Sequence, residues 1–68
     1  MKKPFMVLTK PRSPEIILSL VDNWIIGVKE YYHGKIHHEC MIIMQDLKQY
    51  IRLRRQEGYT SLKRTNVL

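Results

Sequence analysis

The fold is predicted here from residues 36–57, which read IHHECMIIMQDLKQYIRLRRQE. Apolar side chains recur in this stretch with a spacing of four, three, four and three residues, at Ile36, Cys40, Ile43, Leu47 and Tyr50. Such a spacing keeps them on one side of a helix with 3.6 residues per turn. The stretch therefore predicts an amphipathic helix of about six turns, with a basic and glutamine-rich opposite side.

The same spacing occurs earlier in the chain, at Ile17, Val21, Trp24, Val28 and Tyr31. The triplet Ser13-Pro14-Glu15 is typical of a helix start, because serine caps free N–H groups, proline suits the first helical position and glutamate complements the dipole. Gly34 interrupts the pattern, and Gly58 follows the second stretch. Glycine readily adopts the left-handed conformation that ends a helix. We therefore predict an all-α fold, an antiparallel helical hairpin with helices at about 14–33 and 36–57; the alternative is a single long bent helix.

The chain of 68 residues is predicted to form a single small domain, 1–68. Residues 1–12 form a basic N-terminal arm in this interpretation, with residues 5–8 as a short strand or an extended segment. Residues 13–57 form the hairpin, and residues 58–68 form a basic, mobile tail.

A homodimer is expected from the small size of the core. A core of this size rarely supplies more than about 3–5 kcal/mol, and the single cysteine, Cys40, excludes an intrachain disulfide. Two hairpins are expected to pack as a four-helix bundle. Large aromatic side chains dominate such interfaces, so the predicted dimer interface consists of Trp24, Tyr31, Tyr32 and Tyr50.

The predicted order of a short strand and two helices is similar to that of the ribbon-helix-helix repressors. Their strands carry polar side chains alternating on the outer face, whereas Phe5, Met6, Val7 and Leu8 are all apolar. No residue role is carried over from that family.

The charge of the chain is strongly positive and unevenly distributed. The net charge is +6 and the isoelectric point is about 9.8. Residues 48–68 carry six basic residues against one acid, and residues 1–13 carry four basic residues and no acid. The section between them, 14–47, carries five acids against two lysines. Basic ends of this kind favour an anionic partner.

The candidate binding residues lie on the basic side of the second predicted helix and in the tail. Lys48, Arg52 and Arg55 stand at positions i, i+4 and i+7, and Lys63 and Arg64 follow in the tail. Arginine and lysine bind phosphate. Glutamines beside them can also donate to phosphate or bind adenine, and Tyr59 is a candidate for stacking on a base.

Neutralisation of the same side chains by acids is the alternative interpretation. In an antiparallel hairpin Glu15 would lie near Arg55 and Asp22 near Lys48, so ion pairs between the helices could absorb part of the charge.

These observations predict a small DNA- or RNA-binding regulatory protein that acts as a dimer through a basic helix face and tail. The alternative is a small helical adaptor or inhibitor that binds a larger protein through its apolar and basic faces. No catalytic or cofactor motif is recognisable, so neither an enzyme nor a cofactor is predicted.

The sequence favours neither a metal site nor a membrane-binding surface. His33, His37, His38 and Cys40 form a cluster with metal-ligand chemistry, but Cys40 occupies an apolar position, where a thiol behaves as a small hydrophobic residue. No segment approaches the ~20 apolar residues of a membrane span, and a basic helix lying on a lipid surface would have to expose its core face. One free thiol and no secretory signal predict a cytoplasmic location.

Overall fold

A computed structural model describes residues 3–61 of the chain. Its elements, in chain order, are β1 (Lys3–Thr9), β2 (Glu15–Leu20), β3 (Ile25–Tyr32), β4 (Lys35–Ile43), a 3-10 turn (Met44–Asp46), α1 (Leu47–Gln56) and β5 (Thr60–Ser61). The strands form one antiparallel sheet in the order β4-β3-β2-β1-β5. The predicted all-α fold is therefore wrong.

The predicted helices at 14–33 and 36–57 are mostly strands. The first is replaced by β2, β3 and the loop between them, and the second is β4 as far as Ile43 and helical only over Leu47–Gln56. Isoleucine pairs, at 16–17, 25–26 and 42–43, supply apolar side chains to both faces of a strand. Apolar residues at that density meet a helical spacing by chance, which is why the periodicity was misleading.

The predicted four-helix bundle is wrong. With one α-helix between residues 3 and 61, a dimer contains two such helices rather than four. The short strand predicted at residues 5–8 is confirmed as part of β1, and the alternative of an extended arm is not, because β1 lies in the interior of the sheet between β2 and β5. The similarity to repressors depends on an order of strand, helix and helix, which residues 3–61 do not have.

The turn predicted at Gly34 is confirmed, but it joins two strands. His33 and Gly34 are the two residues between β3 and β4, with φ values of +54° and +81°. Two consecutive residues with positive φ define a type I′ turn, whose twist matches that of the flanking strands. Tyr32 and Lys35 pair directly across it, so Gly34 folds a β-hairpin.

The triplet beginning at Ser13 does not start a helix. The Ser13 amide donates to the carbonyl of Lys10 at 3.1 Å, which closes a β-turn with Pro11 at its second position. Arg12 follows Pro11 with φ of +63°, the left-handed conformation that a type II turn requires at its third position. The triplet therefore marks the passage from a turn into β2.

The core lies between the sheet and α1. Five side chains from three adjacent strands are fully buried there: Leu8, Ile16, Leu18, Ile26 and Val28. Cross-strand pairing sets Leu8 against Ile16 and Leu18 against Val28. On the helix, Leu47, Tyr50 and Ile51 pack against this cluster. The 3-10 turn and α1 thus cross one face of the sheet and return the chain to β5.

Within residues 3–61, the helices are too short or too polar to span a membrane.

Candidate nucleic-acid interface

Within the predicted helix at 36–57, the C-terminal part forms the amphipathic helix α1, Leu47–Gln56. α1 turns Tyr50 and Ile51 toward the sheet, where both are partly buried, and leaves Lys48, Arg52 and Arg55 exposed. A spacing of four and three residues places these three cations on one side of the helix. The structure therefore brings together three of the five predicted nucleic-acid-binding residues.

The three cations line one shallow depression on the outside of the helix. Its volume is about 480 Å³, and its lining residues are Lys48, Ile51, Arg52, Arg55 and Gln56. The partly buried, apolar Ile51 lies among the cations in this lining. We name Lys48, Arg52 and Arg55 the basic face.

The basic face lies on the side of α1 that is nearer β5. A side-chain hydrogen bond joins Arg55 Nη2 to Ser61 Oγ at 3.4 Å. On the opposite flank of the helix, Gln49 and Leu53 lie beside Ile42 of β4. The basic face is thus turned away from the β4 edge of the sheet.

Within residues 3–61, no carboxylate forms an ion pair with the basic face. Among the described residues, the ion pairs at 4.0 Å or less are Lys29–Glu39 at 4.0 Å and Arg54–Glu57 at 2.7 Å. The alternative pairing of Glu15 with Arg55 and Asp22 with Lys48 is not formed, because Glu15 and Asp22 belong to the sheet and its loop rather than to a neighbouring helix. The positive charge of all three side chains is therefore available to a partner.

Arg54 has a different role from its neighbours. It is partly buried and holds Glu57 with a 2.7 Å hydrogen bond, and its guanidinium lies 4.9 Å from the centre of the Tyr50 ring. Burial alone would lower the pKa of Arg54, but its interactions with Tyr50 and Glu57 raise the pKa overall. Arg54 is thus a fixed structural cation. The sequence pattern indicates this role only through the Glu57 that follows three residues later.

Burial raises the pKa of Tyr50 to about 12, and the nearby Arg54 charge opposes this shift. The Tyr50 hydroxyl oxygen and Arg54 Nε are both buried, and neither meets a partner at hydrogen-bonding geometry within residues 3–61. The two side chains therefore meet through the guanidinium and the ring face and not through a well-formed hydrogen bond.

The end of α1 fixes the direction in which the chain leaves the basic face. Gly58 has φ of +107°, and the amides of Gly58 and Tyr59 donate to the carbonyls of Arg55 and Arg54 at 3.0 and 3.1 Å. This pair of bonds is a Schellman motif, and it confirms the predicted helix end at Gly58. β5 then begins at Thr60 and brings Ser61 beside Arg55.

Tyr59 is not available as a stacking platform for a base. It is only 7% exposed, and its hydroxyl donates to the carbonyl of Pro14 at 3.1 Å. Burial raises the pKa of the Tyr59 hydroxyl. Lys10 Nζ lies 5.8 Å from the ring centre. Tyr59 therefore anchors the end of the fold, and the suggested role in base stacking is wrong.

The other predicted site residues are dispersed or lie beyond the described part. Lys63 and Arg64 are outside residues 3–61, although Lys63 follows Ser61 by only two positions. Of the aromatic residues predicted to form a dimer interface, Trp24 is 70% exposed in the loop after β2, and Tyr50 is partly buried under α1. Tyr31 and Tyr32 are adjacent in β3 and so point to opposite faces of the sheet. The four side chains do not form one surface.

The histidine and cysteine cluster is also separated. His33 is in a turn, and His37, His38 and Cys40 follow along β4. Within the described range, no three histidine, cysteine, aspartate or glutamate side chains are placed to hold a metal ion.

Comparisons with protein-family models, with characterised proteins and with solved structures find no match to this chain.

Proposed function

We propose that this protein is a small nucleic-acid-binding regulator that holds the phosphate backbone on the basic face of α1. The observation that carries the proposal is that Lys48, Arg52 and Arg55 line one depression and none of them is paired with a carboxylate among the described residues. Guanidinium and ammonium groups in that setting bind phosphate oxygens and release counterions.

The chain around the basic face supports the same assignment. Gln56 lines the depression and can donate to phosphate or to a base edge. Lys63 and Arg64 follow shortly after Ser61, which is bonded to Arg55. These two residues are proposed as further phosphate contacts. The net charge of +6 attracts a polyanion from a distance.

Salt dependence provides the first test. Three phosphate contacts predict a slope of log affinity against log salt concentration of about −2.7 on duplex DNA and about −2.1 on single strands. The affinity for duplex DNA is then expected to fall about 40-fold between 50 and 200 mM salt, and more if Lys63 and Arg64 also take part. Fluorescence anisotropy with labelled duplex DNA and with single-stranded RNA measures both slopes.

Charge-matched variants provide the second test. The double variant Arg52→Gln/Arg55→Gln removes two positive charges from the basic face, and its slope on duplex DNA is expected to be smaller by about 1.8. The control Lys29→Gln/Lys35→Gln removes the same charge from β3 and β4 and is expected to keep the wild-type slope. Equal losses in the two variants would mean that binding depends on net charge alone, which would contradict a localised site.

If the protein binds neither duplex DNA nor single-stranded RNA at 50 mM salt, the proposal is wrong. The expectation of a larger protein partner would then remain. Binding that does not change between 50 and 200 mM salt would have the same meaning, because it would point to apolar contacts. A cytoplasmic location is part of the proposal and is supported by the free thiol of Cys40.

A further inference from the structure

β4 forms one edge of the sheet and has the features of a strand that accepts a partner. It is nine residues long, it pairs with β3 on one side, and the described residues supply no strand for its other side. An exposed edge presents backbone donors and acceptors to another chain unless prolines, charges or bulges obstruct it. β4 contains no proline, and its formal charges are Lys35 and Glu39. A bulge at His37 interrupts only its first part, because Tyr31 pairs with Ile36 and Glu30 pairs with His38.

Exposed apolar side chains are concentrated around this edge. Within β4, Ile36 is 51% exposed, Met41 68% and Ile43 46%. Met44 follows directly, and its amide donates to the carbonyl of Trp24 at 2.7 Å. The backbone of Trp24, whose side chain is 70% exposed, therefore lies beside the end of β4. Apolar surface of this kind on a small protein marks an interaction site more often than a solvated face.

The helix-covered side of the same edge is open as well. A groove of about 250 Å³ runs between β4 and α1, lined by Ile42, Asp46, Gln49, Tyr50 and Leu53. Leu53 is 45% exposed above it. An added strand would thus cover apolar side chains on both faces of the sheet, in addition to pairing its backbone with β4.

We propose that the occupant of this edge is β4 of a second copy of the chain, paired antiparallel about a two-fold axis at Met41. The axis sets Met41 against its own counterpart, Cys40 against Ile42 of the second copy, and Glu39 against Ile43 of the second copy. No charged side chain faces a like charge in this register, and apolar side chains meet on both faces. The two five-stranded sheets become one continuous sheet.

Charge, the bulge and the length of the paired stretch select this register. An axis at Ile42 would pair only residues 41–43 within β4, because the strand ends at Ile43. An axis at Glu39 would place two carboxylates opposite each other, which is unfavourable. An axis at His38 or Cys40 would bring the bulge at His37 into the paired stretch. The axis at Met41 uses the regular part of β4, from His38 onward. Because the axis is perpendicular to the sheet, both helices lie on the same side of it, and their basic faces point away from the contact and remain open.

The oligomeric state in the absence of nucleic acid tests the proposal independently of the proposed function. Light scattering coupled to size-exclusion chromatography is expected to give the mass of a dimer over about 1–100 μM protein. Met41→Lys places a charge at the axis on a side chain that is already exposed, so the monomer is expected to stay folded while the dissociation constant of the dimer rises at least about tenfold. The control Thr60→Lys adds the same charge at the opposite edge of the sheet and is expected to remain dimeric. A monomeric wild-type chain, or an unchanged dimer in Met41→Lys, would overturn the proposal.

A cysteine at the axis tests the register. In Cys40→Ser/Met41→Cys the two thiols introduced at position 41 of a dimer lie directly opposite each other, within the Cα separation of about 4.4–6.8 Å that a disulfide allows. Glutathione disulfide is expected to oxidise the two thiols to one intermolecular disulfide, and is itself reduced to two glutathione thiols. The control Cys40→Ser/Thr60→Cys is expected to stay uncrosslinked under the same conditions. A dimer that fails to crosslink at position 41, or one that crosslinks equally at position 60, would show that a different surface makes the contact.

Discussion

Replacement of Tyr50 by phenylalanine is expected to stabilise the protein, although it removes a polar group from the interior. The Tyr50 hydroxyl is buried without a hydrogen-bond partner among the described residues. Burying a hydroxyl in that state costs about 1–3 kcal/mol in proteins. Tyr50→Phe keeps the ring under α1 and keeps it 4.9 Å from the Arg54 guanidinium. We therefore expect the free energy of unfolding at pH 7 to rise by about 1 kcal/mol and the melting temperature to rise by about 4–8 °C.

The same substitution is expected to change the dependence of stability on alkaline pH. The folded-state pKa of Tyr50 is raised from 10.0 to about 12, so between these values the unfolded chain loses a proton that the folded chain retains. The wild-type protein therefore keeps its full stability below pH 10 and loses stability as the pH rises to 12, because the unfolded chain ionises first. Two pH units correspond to at most about 2.7 kcal/mol, and solvent screening of the half-buried ring reduces this to about 1–2 kcal/mol. The stability difference between Tyr50→Phe and the wild type is expected to widen by that amount over this interval.

Urea denaturation monitored by circular dichroism, at pH 7 and in steps between pH 10 and 12, measures both effects. Tyr32→Phe is the matched control, because Tyr32 is 43% exposed; we expect no comparable change. If Tyr50→Phe lowers stability by about 1 kcal/mol or more, the hydroxyl has a partner in solution and the argument from an unpaired polar group is refuted.

Three further substitutions test the backbone of the sheet, each by the midpoint of urea unfolding. Gly34→Ala is expected to cost about 1–2 kcal/mol, because the φ of +81° disfavours a side chain even though an added Cβ would meet no atom within 4 Å; an unchanged midpoint would contradict the assigned turn. Arg12→Gly is expected to add up to about 1 kcal/mol, since it relieves a non-glycine residue at φ +63° at some cost in chain entropy; a loss of stability would show that the Arg12 side chain makes a contact worth more than the strain. Gly27→Ala is expected to cost about 1–3 kcal/mol, because its Cβ would lie 2.9 Å from Cγ2 of Val21; a neutral result would mean that Val21 moves aside freely.

The parts of the fold that the sequence predicts correctly are those fixed by local backbone chemistry. Gly34 and Gly58 are required by positive φ at a turn and at a helix end, and that requirement holds whatever elements they join. The basic side of α1 is also correct, because Lys48, Arg52 and Arg55 stand within one short helix that needs no long-range contact to be recognised.

The class of the fold could not be predicted from apolar spacing, because that signal is ambiguous in this chain. Val28 and Cys40 were assigned to two helix faces, but they are cross-strand partners in β3 and β4. The paired isoleucines and the His33-Gly34 step between two extended runs were the better indicators of a sheet. Pairing of β5 with β1 depends on contacts between distant parts of the chain, for which local patterns carry no information.

The hydrogen bond from Tyr59 to Pro14 joins residues 45 positions apart. During synthesis β1 to β4 can form as successive hairpins. The apolar face of this sheet stays uncovered until α1 and Tyr59 have been synthesised and pack against it. A nascent chain that has not yet reached residue 59 would therefore expose part of its apolar core surface to solvent.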